Sequence, residues 1–429
     1  MISLSNVHTK NIIHNDNNSS NDNENNSSND IENNSNSNNN NDDDSNILRI
    51  ENTSLSLLEI FQSDRFLSVL FMILGYYCYD ERHHVITRLL ARSWQFSLLT
   101  LGGIGICYQF ILGVVSITII SSQLLRSIGH ILYVCIIPVL QVGSLAYSLY
   151  MFKQQLKQPV KVDTISRLLP LIKRDACIFF ISMISVVIAI NPININITAY
   201  DAYYYSVIIL RTYSLFSFQQ VTLMFFNIAI TCYLTVALVF TSLVLNQVKS
   251  LQQDVINAVD ANKLTCNEYA VKKAEISLLH TQSNLSIQIV TIFAGINIVT
   301  FIMETAYYYN DFVNNVSTYS DMILADLHMA PYLLKEIVFF YYVLLKIADI
   351  NTLSYQLIEK INTKCWELKT SENKDIINDY MFLHVDASQL PITFKLGGEV
   401  EVRQNQVLLT LVGFIFYCMS ILIKVQNEV

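Results

Sequence analysis

The stretch TYSLFSFQQVTLMFFNIAITCYLTVALVFTSLVLNQV, Thr212 to Val248, contains no Asp, Glu, Lys or Arg. A helix needs roughly 20 predominantly apolar residues to cross a hydrocarbon core ~30 Å thick, and this run exceeds that length. It shows no period-two alternation, so it reads as a helix and not as a barrel strand. Five more runs free of those four residue types meet the same test: Ser93 to Leu125, Ser127 to Phe152, Ala176 to Tyr200, Ile276 to Met303 and Gln404 to Ile423. A weaker stretch is interrupted by Lys335, Glu336 and Lys346, yet its centre, Ile337 to Leu345, is entirely apolar. The expected fold is therefore an all-α polytopic membrane protein. Its seven transmembrane helices are placed at roughly 95–121, 128–151, 176–196, 215–245, 284–307, 329–349 and 406–425.

Composition agrees. With 52% hydrophobic residues, 14% charged residues and a mean hydropathy of +0.36, a soluble cytosolic enzyme is excluded. The net charge of -8 is local in origin. Residues 11–46 hold 17 Asn, eight acidic residues, no Lys or Arg and three apolar residues. Residues 1–48 are expected to be a disordered cytoplasmic tail, because so few apolar side chains cannot offset the entropy of ordering. Residues 49–94 are read as a cytoplasmic or interfacial segment, with 55–79 as an interfacial or re-entrant helix or, alternatively, an extra span, and 95–429 as the seven-helix bundle. The first fifty residues are polar, so the first span is expected to act as the insertion signal.

Basic residues orient the bundle, since cytoplasmic loops retain Lys and Arg. Of the 27 basic residues, 22 fall before the first span, in 153–175, in 247–283 or in 350–405. The N-terminus is therefore expected in the cytoplasm and the C-terminus outside. The sequons at Asn196 and Asn315 fall in loops assigned to the outer side, as glycosylation requires. The segments 247–283 and 350–405 continue with apolar residues at helical spacing, such as Leu251, Val255, Ala258 and Val259, then Leu353, Leu357, Ile361 and Cys365. They are expected to form cytoplasmic helical anchors under the bundle.

A G-protein-coupled receptor has the opposite orientation. Its usual marks are also missing: no Asp-Arg-Tyr triplet ends the third helix, and Asn191-Pro192 is followed by Ile-Asn-Ile. All eight cysteines lie in spans or on the cytoplasmic side, with no Cys-x-x-Cys pair, so neither an extracellular disulfide nor a zinc site is expected. No nucleophile with its base, no phosphate-binding glycine loop and no carboxylate pair points to catalysis. Basic residues do not gather into a nucleic-acid patch. No cofactor, no metal and no nucleic-acid partner is expected.

Three pieces in the last third resemble the insect gustatory receptors and the broader gustatory-receptor-like family. They are Leu278-Leu279-His280 through Asn284; Pro391-Ile392-Thr393-Phe394 with Gly397-Gly398-Glu399-Val400-Glu401-Val402; and Leu408 to Gly413 followed by Phe416-Tyr417-Cys418 and Ile421-Leu422-Ile423. The family has a Thr-Tyr at 416–417, an aromatic at 400 and Gln-Phe at 423–424, where this chain has Phe416, Val400 and Ile423-Lys424. The resemblance implies a seven-helix subunit assembling as a homo- or heterotetramer around a pore lined by the last helix. It further implies a ligand-gated, non-selective cation channel that detects a small-molecule tastant at the plasma membrane of a sensory neuron. A metabotropic seven-helix receptor and a non-conducting relative are the alternatives. Lys424 bears on the second: a ring of positive charge at a constriction repels cations, whereas a lysine that snorkels to the interface does not.

Depth alone nominates ligand-binding residues: His130 and Tyr133 in the second helix, Gln219 and Gln220 in the fourth, Glu304 and Tyr308 in the fifth, Tyr332 and Glu336 in the sixth. Intramembrane carboxylates are costly unless paired or hydrated, which singles out Glu304 and Glu336. Near a membrane edge, either one can equally be solvated or, for Glu336, paired with Lys335. In the last helix Thr410, Gly413, Tyr417 and Ser420 recur at three- and four-residue steps and make one stripe. With Ile423 and Lys424 they are the candidate pore and gate residues.

Overall fold

The computed structural model describes residues 54–56, 59, 61, 64–76, 85–119, 137–155, 159–161, 166–185, 213–315, 331, 334–368, 374–389, 392–397 and 399–428. Within these, the side chains of 54–55, 106, 108–110, 112–119, 137–141, 144, 155, 159–161, 213–227, 299–315, 374–376, 389, 418 and 421–428 are not part of the description. The described residues are helical almost throughout. The expected tail at 1–48 and much of the expected second and third spans lie outside them.

Strand β1, Ser54–Ser56, pairs antiparallel with β2, Pro159–Lys161, in a short ribbon. Helix α1, Arg65–Ile73, starts at Asp64, whose carboxylate accepts the Leu67 N–H at 3.0 Å. It stops at Gly75, which sits at φ +73. There the Tyr76 and Gly75 N–H groups return to the carbonyls of Phe71 and Met72, closing the last turn. Space also requires glycine here, because a Cβ would stand 2.5 Å from Leu98 Cδ1. Helix α2, Val85–Ile119, begins about ten residues before the expected first span. Residue 95 therefore does not open the bundle but lies inside a helix. Arg88 and Arg92 break the apolar run without breaking the helix, since Arg, Leu and Ala are all good helix formers.

Helix α3 is Ile137–Gln155, and α4 covers 166–185. Helix α5, Tyr213–Asp260, carries the decisive apolar run and its amphipathic extension in one element of 48 residues. Asn262 ends it in the left-handed conformation at φ 54, with Lys263 N–H bonded to Ala258 O and Asn262 N–H to Val259 O. Helix α6, Cys266–Asn315, restarts at once from a reciprocal cap. Thr265 Oγ1 accepts the Glu268 N–H at 3.2 Å, and Glu268 Oε2 accepts the Thr265 N–H at 3.3 Å.

Helix α7 is α-helical over 334–336, passes through a π-helical turn, Ile337–Tyr341, and continues as α-helix from Tyr342 to Leu368. Helix α8, Lys374–Gln389, precedes a short hairpin of β3 (Lys395–Leu396) and β4 (Val400–Glu401). That hairpin leads into α9, Gln404–Glu428.

Helix α5 is the axis of packing, meeting α2, α3, α6 and α7. Gly102 allows α2 to approach closely, since a Cβ there would lie 3.3 Å from Ala229 Cβ. Phe240 on α5 gathers the rings of Phe61, Phe71, Tyr76 and Phe152 within 6.0 Å. A second apolar cluster forms where the far ends of α5 and α7 meet α8 and the start of α6. Val255, Val259, Tyr269, Ile361, Tyr380 and Leu383 are its centre. By length and composition, and among the described residues, Ile228–Asp260 and Leu334–Leu368 can each cross a membrane, while Gln404–Tyr417 is apolar but shorter.

Candidate functional site

The strongest polar feature among the described residues joins α4, α5 and α7. Asp175 on α4 has a side chain with no exposed surface, and Lys346 on α7 binds it directly. Lys346 Nζ also donates to Ser242 Oγ at 2.8 Å and to Asn246 Oδ1 at 2.9 Å, so all three ammonium protons have acceptors. The carboxylate is equally well supplied. Ser242 Oγ donates at 2.5 Å and Asn246 Nδ2 at 2.9 Å to one oxygen; Tyr342 OH donates at 2.6 Å and Arg174 Nη2 at 3.3 Å to the other. Spacing makes the arrangement possible, because Ser242 and Asn246 on α5, and Tyr342 and Lys346 on α7, are each four apart and share a helix face. A buried charge is tolerated only with this degree of pairing.

One and two turns further along, α7 holds the connector that precedes α9. Asn351, 2% exposed, donates through Nδ2 to Phe394 O and Val402 O, both at 3.0 Å. Its Oδ1 accepts the Phe394 N–H at 2.8 Å. Ser354 Oγ donates to Ile392 O at 2.7 Å and itself accepts from Gln252 Nε2 at 2.9 Å. From α6, His280 Nε2 bonds Thr393 O at 3.0 Å, and its ring lies tilted against that of Phe394 with centroids 4.6 Å apart. Burial holds the His280 ring below the ordinary histidine pKa, with its bond to Thr393 O acting in the opposite direction. Three consecutive carbonyls, 392 to 394, are thus satisfied by side chains from two helices. Most of this segment is not in regular structure, so its backbone polar groups need such partners.

Helix α9 rests on the bundle by Val407 and Phe414, 3% and 6% exposed. Tyr341 OH donates to Thr410 O at 3.3 Å, and the Tyr341 and Phe414 rings lie 6.0 Å apart. Thr410, Gly413, Tyr417 and Ser420 are all exposed. A Cβ at Gly413 would meet nothing within 4 Å. The stripe read from the sequence therefore lies on the side of α9 that this chain leaves uncovered.

Of the nominated ligand residues, Glu336 is described, and it is 3% exposed with Oε1 2.6 Å from Lys335 Nζ. Its Oε2 is buried without a hydrogen-bond partner. Gln219 and Gln220 lie on α5, Glu304 and Tyr308 on α6, Asn315 at the last residue of α6, and Ile423 and Lys424 on α9; their side chains lie outside the described set. His130, Tyr133, Tyr332 and Asn196 lie outside it altogether. Sequence reading misses Asp175, Lys346, Ser242, Asn246 and Asn351. In the sequence Lys346 is only an interruption of a span, and Asp175 only the end of a charged loop. The available signal is their opposite sign beside apolar runs, which calls for a partner.

No protein-family model matches the chain, and no curated protein matches it. Solved structures do. The insect olfactory receptor OR5 from Machilis hrabei superposes with a TM-score of 0.50 at 13% identity, covering 86% of this chain and 99% of that one. The same receptor in complex with eugenol gives 0.53 at 12% identity, covering 85% and 99%. The chain thus shares the overall fold of these two olfactory-receptor structures.

Proposed function

We propose that this chain is a chemosensory receptor subunit of the gustatory kind, a ligand-gated, non-selective cation channel that detects a small-molecule tastant. The observation that carries the reading is α9. One face is held by α7 through Tyr341 and the connector, while the face bearing Thr410, Gly413, Tyr417 and Ser420 is left open to neighbouring copies or to water. Four copies placing that face around an axis would make a pore, with Ile423 and Lys424 at its outer end. The shared fold with a receptor solved in complex with eugenol supports a small-molecule ligand. Ligand would enter among the outer halves of the helices, near His130, Tyr133, Gln219, Gln220, Glu304, Tyr308, Tyr332 and Glu336. Binding would shift the population of bundle conformers, and α7 would pass the change to α9.

The subunit would span the plasma membrane seven times with its N-terminus in the cytoplasm, glycans at Asn196 and Asn315, and a homo- or heterotetrameric assembly. An N-terminal epitope tag should resist antibody and protease on intact cells and become accessible on permeabilisation. Labelling from outside would instead favour a metabotropic receptor. Surface-expressed protein should carry agonist-dependent cation current when challenged with sugars, bitter compounds and amino acids, alone and with related subunits.

A further inference from the structure

We infer that the cavity where α5, α6, α7 and α8 meet beside the connector is a binding site for two water molecules, which supply the donor that Gln252 Oε1 needs and bridge it to Lys273. The cavity is about 30 Å³, lined by Gln252 on α5, Lys273 on α6, Ser354 on α7, Ala387 on α8 and Ile392 of the connector. A water molecule needs at least ~10–15 Å³ of such space and two to four polar partners, so there is room for two. Gln252 is 2% exposed, and its Oε1 is buried with no hydrogen-bond partner among the described residues. Its orientation is fixed by Ser354. That hydroxyl gives its single proton to Ile392 O, so it can only accept from Gln252, which turns Nε2 toward Ser354 and leaves Oε1 as an acceptor.

The lining selects the occupant. It carries the Lys273 ammonium and no carboxylate, so the donor it takes is neutral. Lys273 Nζ donates to Asp386 O at 3.1 Å and Oδ2 at 2.5 Å, which leaves one of its three protons for a water oxygen. A wholly apolar cavity stays dry, whereas one with a buried acceptor holds water. Two attachments meet at this site: Lys273 with Asp386 ties α6 to α8, and Gln252 with Ser354 ties α5 to α7 and to Ile392 O of the connector. Bridging waters are nearly as favourable as direct hydrogen bonds. They join the two attachments into one network that holds the segment leading into α9. The site is independent of the channel reading above.

The test is a double-mutant cycle on purified full-length protein, read as the thermal midpoint. Ala387→Val puts methyl groups where the waters sit and strands Gln252 Oε1, so the midpoint should fall. Gln252→Met keeps the length of the side chain and removes the acceptor. In that background Ala387→Val should lower the midpoint by less, or raise it, because no polar atom is then stranded. A fall as large or larger in the Gln252→Met background overturns the site, since it would report overpacking alone. A rise in both backgrounds also overturns it, being the response of a dry cavity to filling. If Ala387→Val does not fold, a density map of the unaltered chain at a resolution that shows ordered water decides. A peak within hydrogen-bonding distance of Gln252 Oε1 supports the site, and its absence where other buried waters are visible rejects it.

Discussion

Lys346 and Asp175 lie 171 residues apart in sequence and meet as a buried ion pair in which every lysine proton has an acceptor. The pair ties α4 to α7 across α5. Breaking a buried pair from one side leaves an uncompensated charge, costing about 3–5 kcal/mol, whereas removing both partners costs far less. Asp175→Ala and Lys346→Met should each lower the thermal midpoint of purified protein, and the double variant should regain much of the loss. Strictly additive losses would show that the two do not act as a pair.

Asn351 bonds both sides of the connector hairpin. Asn351→Ala leaves the Phe394 N–H and two carbonyls without partners, at a cost of about 1–3 kcal/mol for a buried orphan group. Asn351→Asp retains the acceptor for the Phe394 N–H but turns a buried, unpaired carboxylate oxygen toward two carbonyl oxygens, so it should destabilise at least as much as alanine. Amide exchange at residues 393–403 reads this directly: protection should drop from wild type to Ala and at least as far in Asp, with α2 and α3 unaffected.

His280 gives the protein a pH dependence of defined sign. Its folded-state pKa lies below the ordinary value because burial disfavours the imidazolium, so the unfolded chain binds the extra proton first. Its contribution to stability is complete above about pH 6.5, the ordinary histidine value, and is lost as pH falls below that value through the folded pKa. Thermal midpoints measured from pH 7.5 down to 5 should decline more steeply in wild type than in His280→Gln, whose amide can still donate to Thr393 O. Parallel curves would assign the decline to other groups.

Gly102 sets the spacing of α2 and α5. Gly102→Val places branched carbon against Ala229 and should destabilise by about 1–3 kcal/mol through overpacking. The pairing Gly102→Ala with Ala229→Gly should restore the wild-type midpoint, since the single methyl group then sits on the other helix.

Much of the helical plan is visible in residue type alone. The run from Thr212 to Val248 marks α5, and Thr265 with Glu268 marks the start of α6, because caps and apolar runs are local properties. The early start of α2 is hidden by Arg88 and Arg92, which subtract from hydropathy while favouring helix. The exposed stripe of α9 follows from three- and four-residue spacing, and its inner face at Val407, Leu411 and Phe414 from the same periodicity. The Asp175 network and the Asn351 clamp are not legible. Each depends on which helices become neighbours, and no local pattern states that Lys346 will face Asp175.

The central proposal is that α9 lines an ion pathway gated by ligand. Gly413→Cys and Ile415→Cys, made separately in the surface-expressed receptor with an identified agonist, place a thiol at two positions of that helix. Modification of the thiol at position 413 by a charged methanethiosulfonate should alter the agonist-evoked cation current, with the thiol at position 415 giving a much smaller effect. Agonist-evoked current equally indifferent to modification at 413 and to Tyr417→Ala, or no current at any subunit composition, would contradict it.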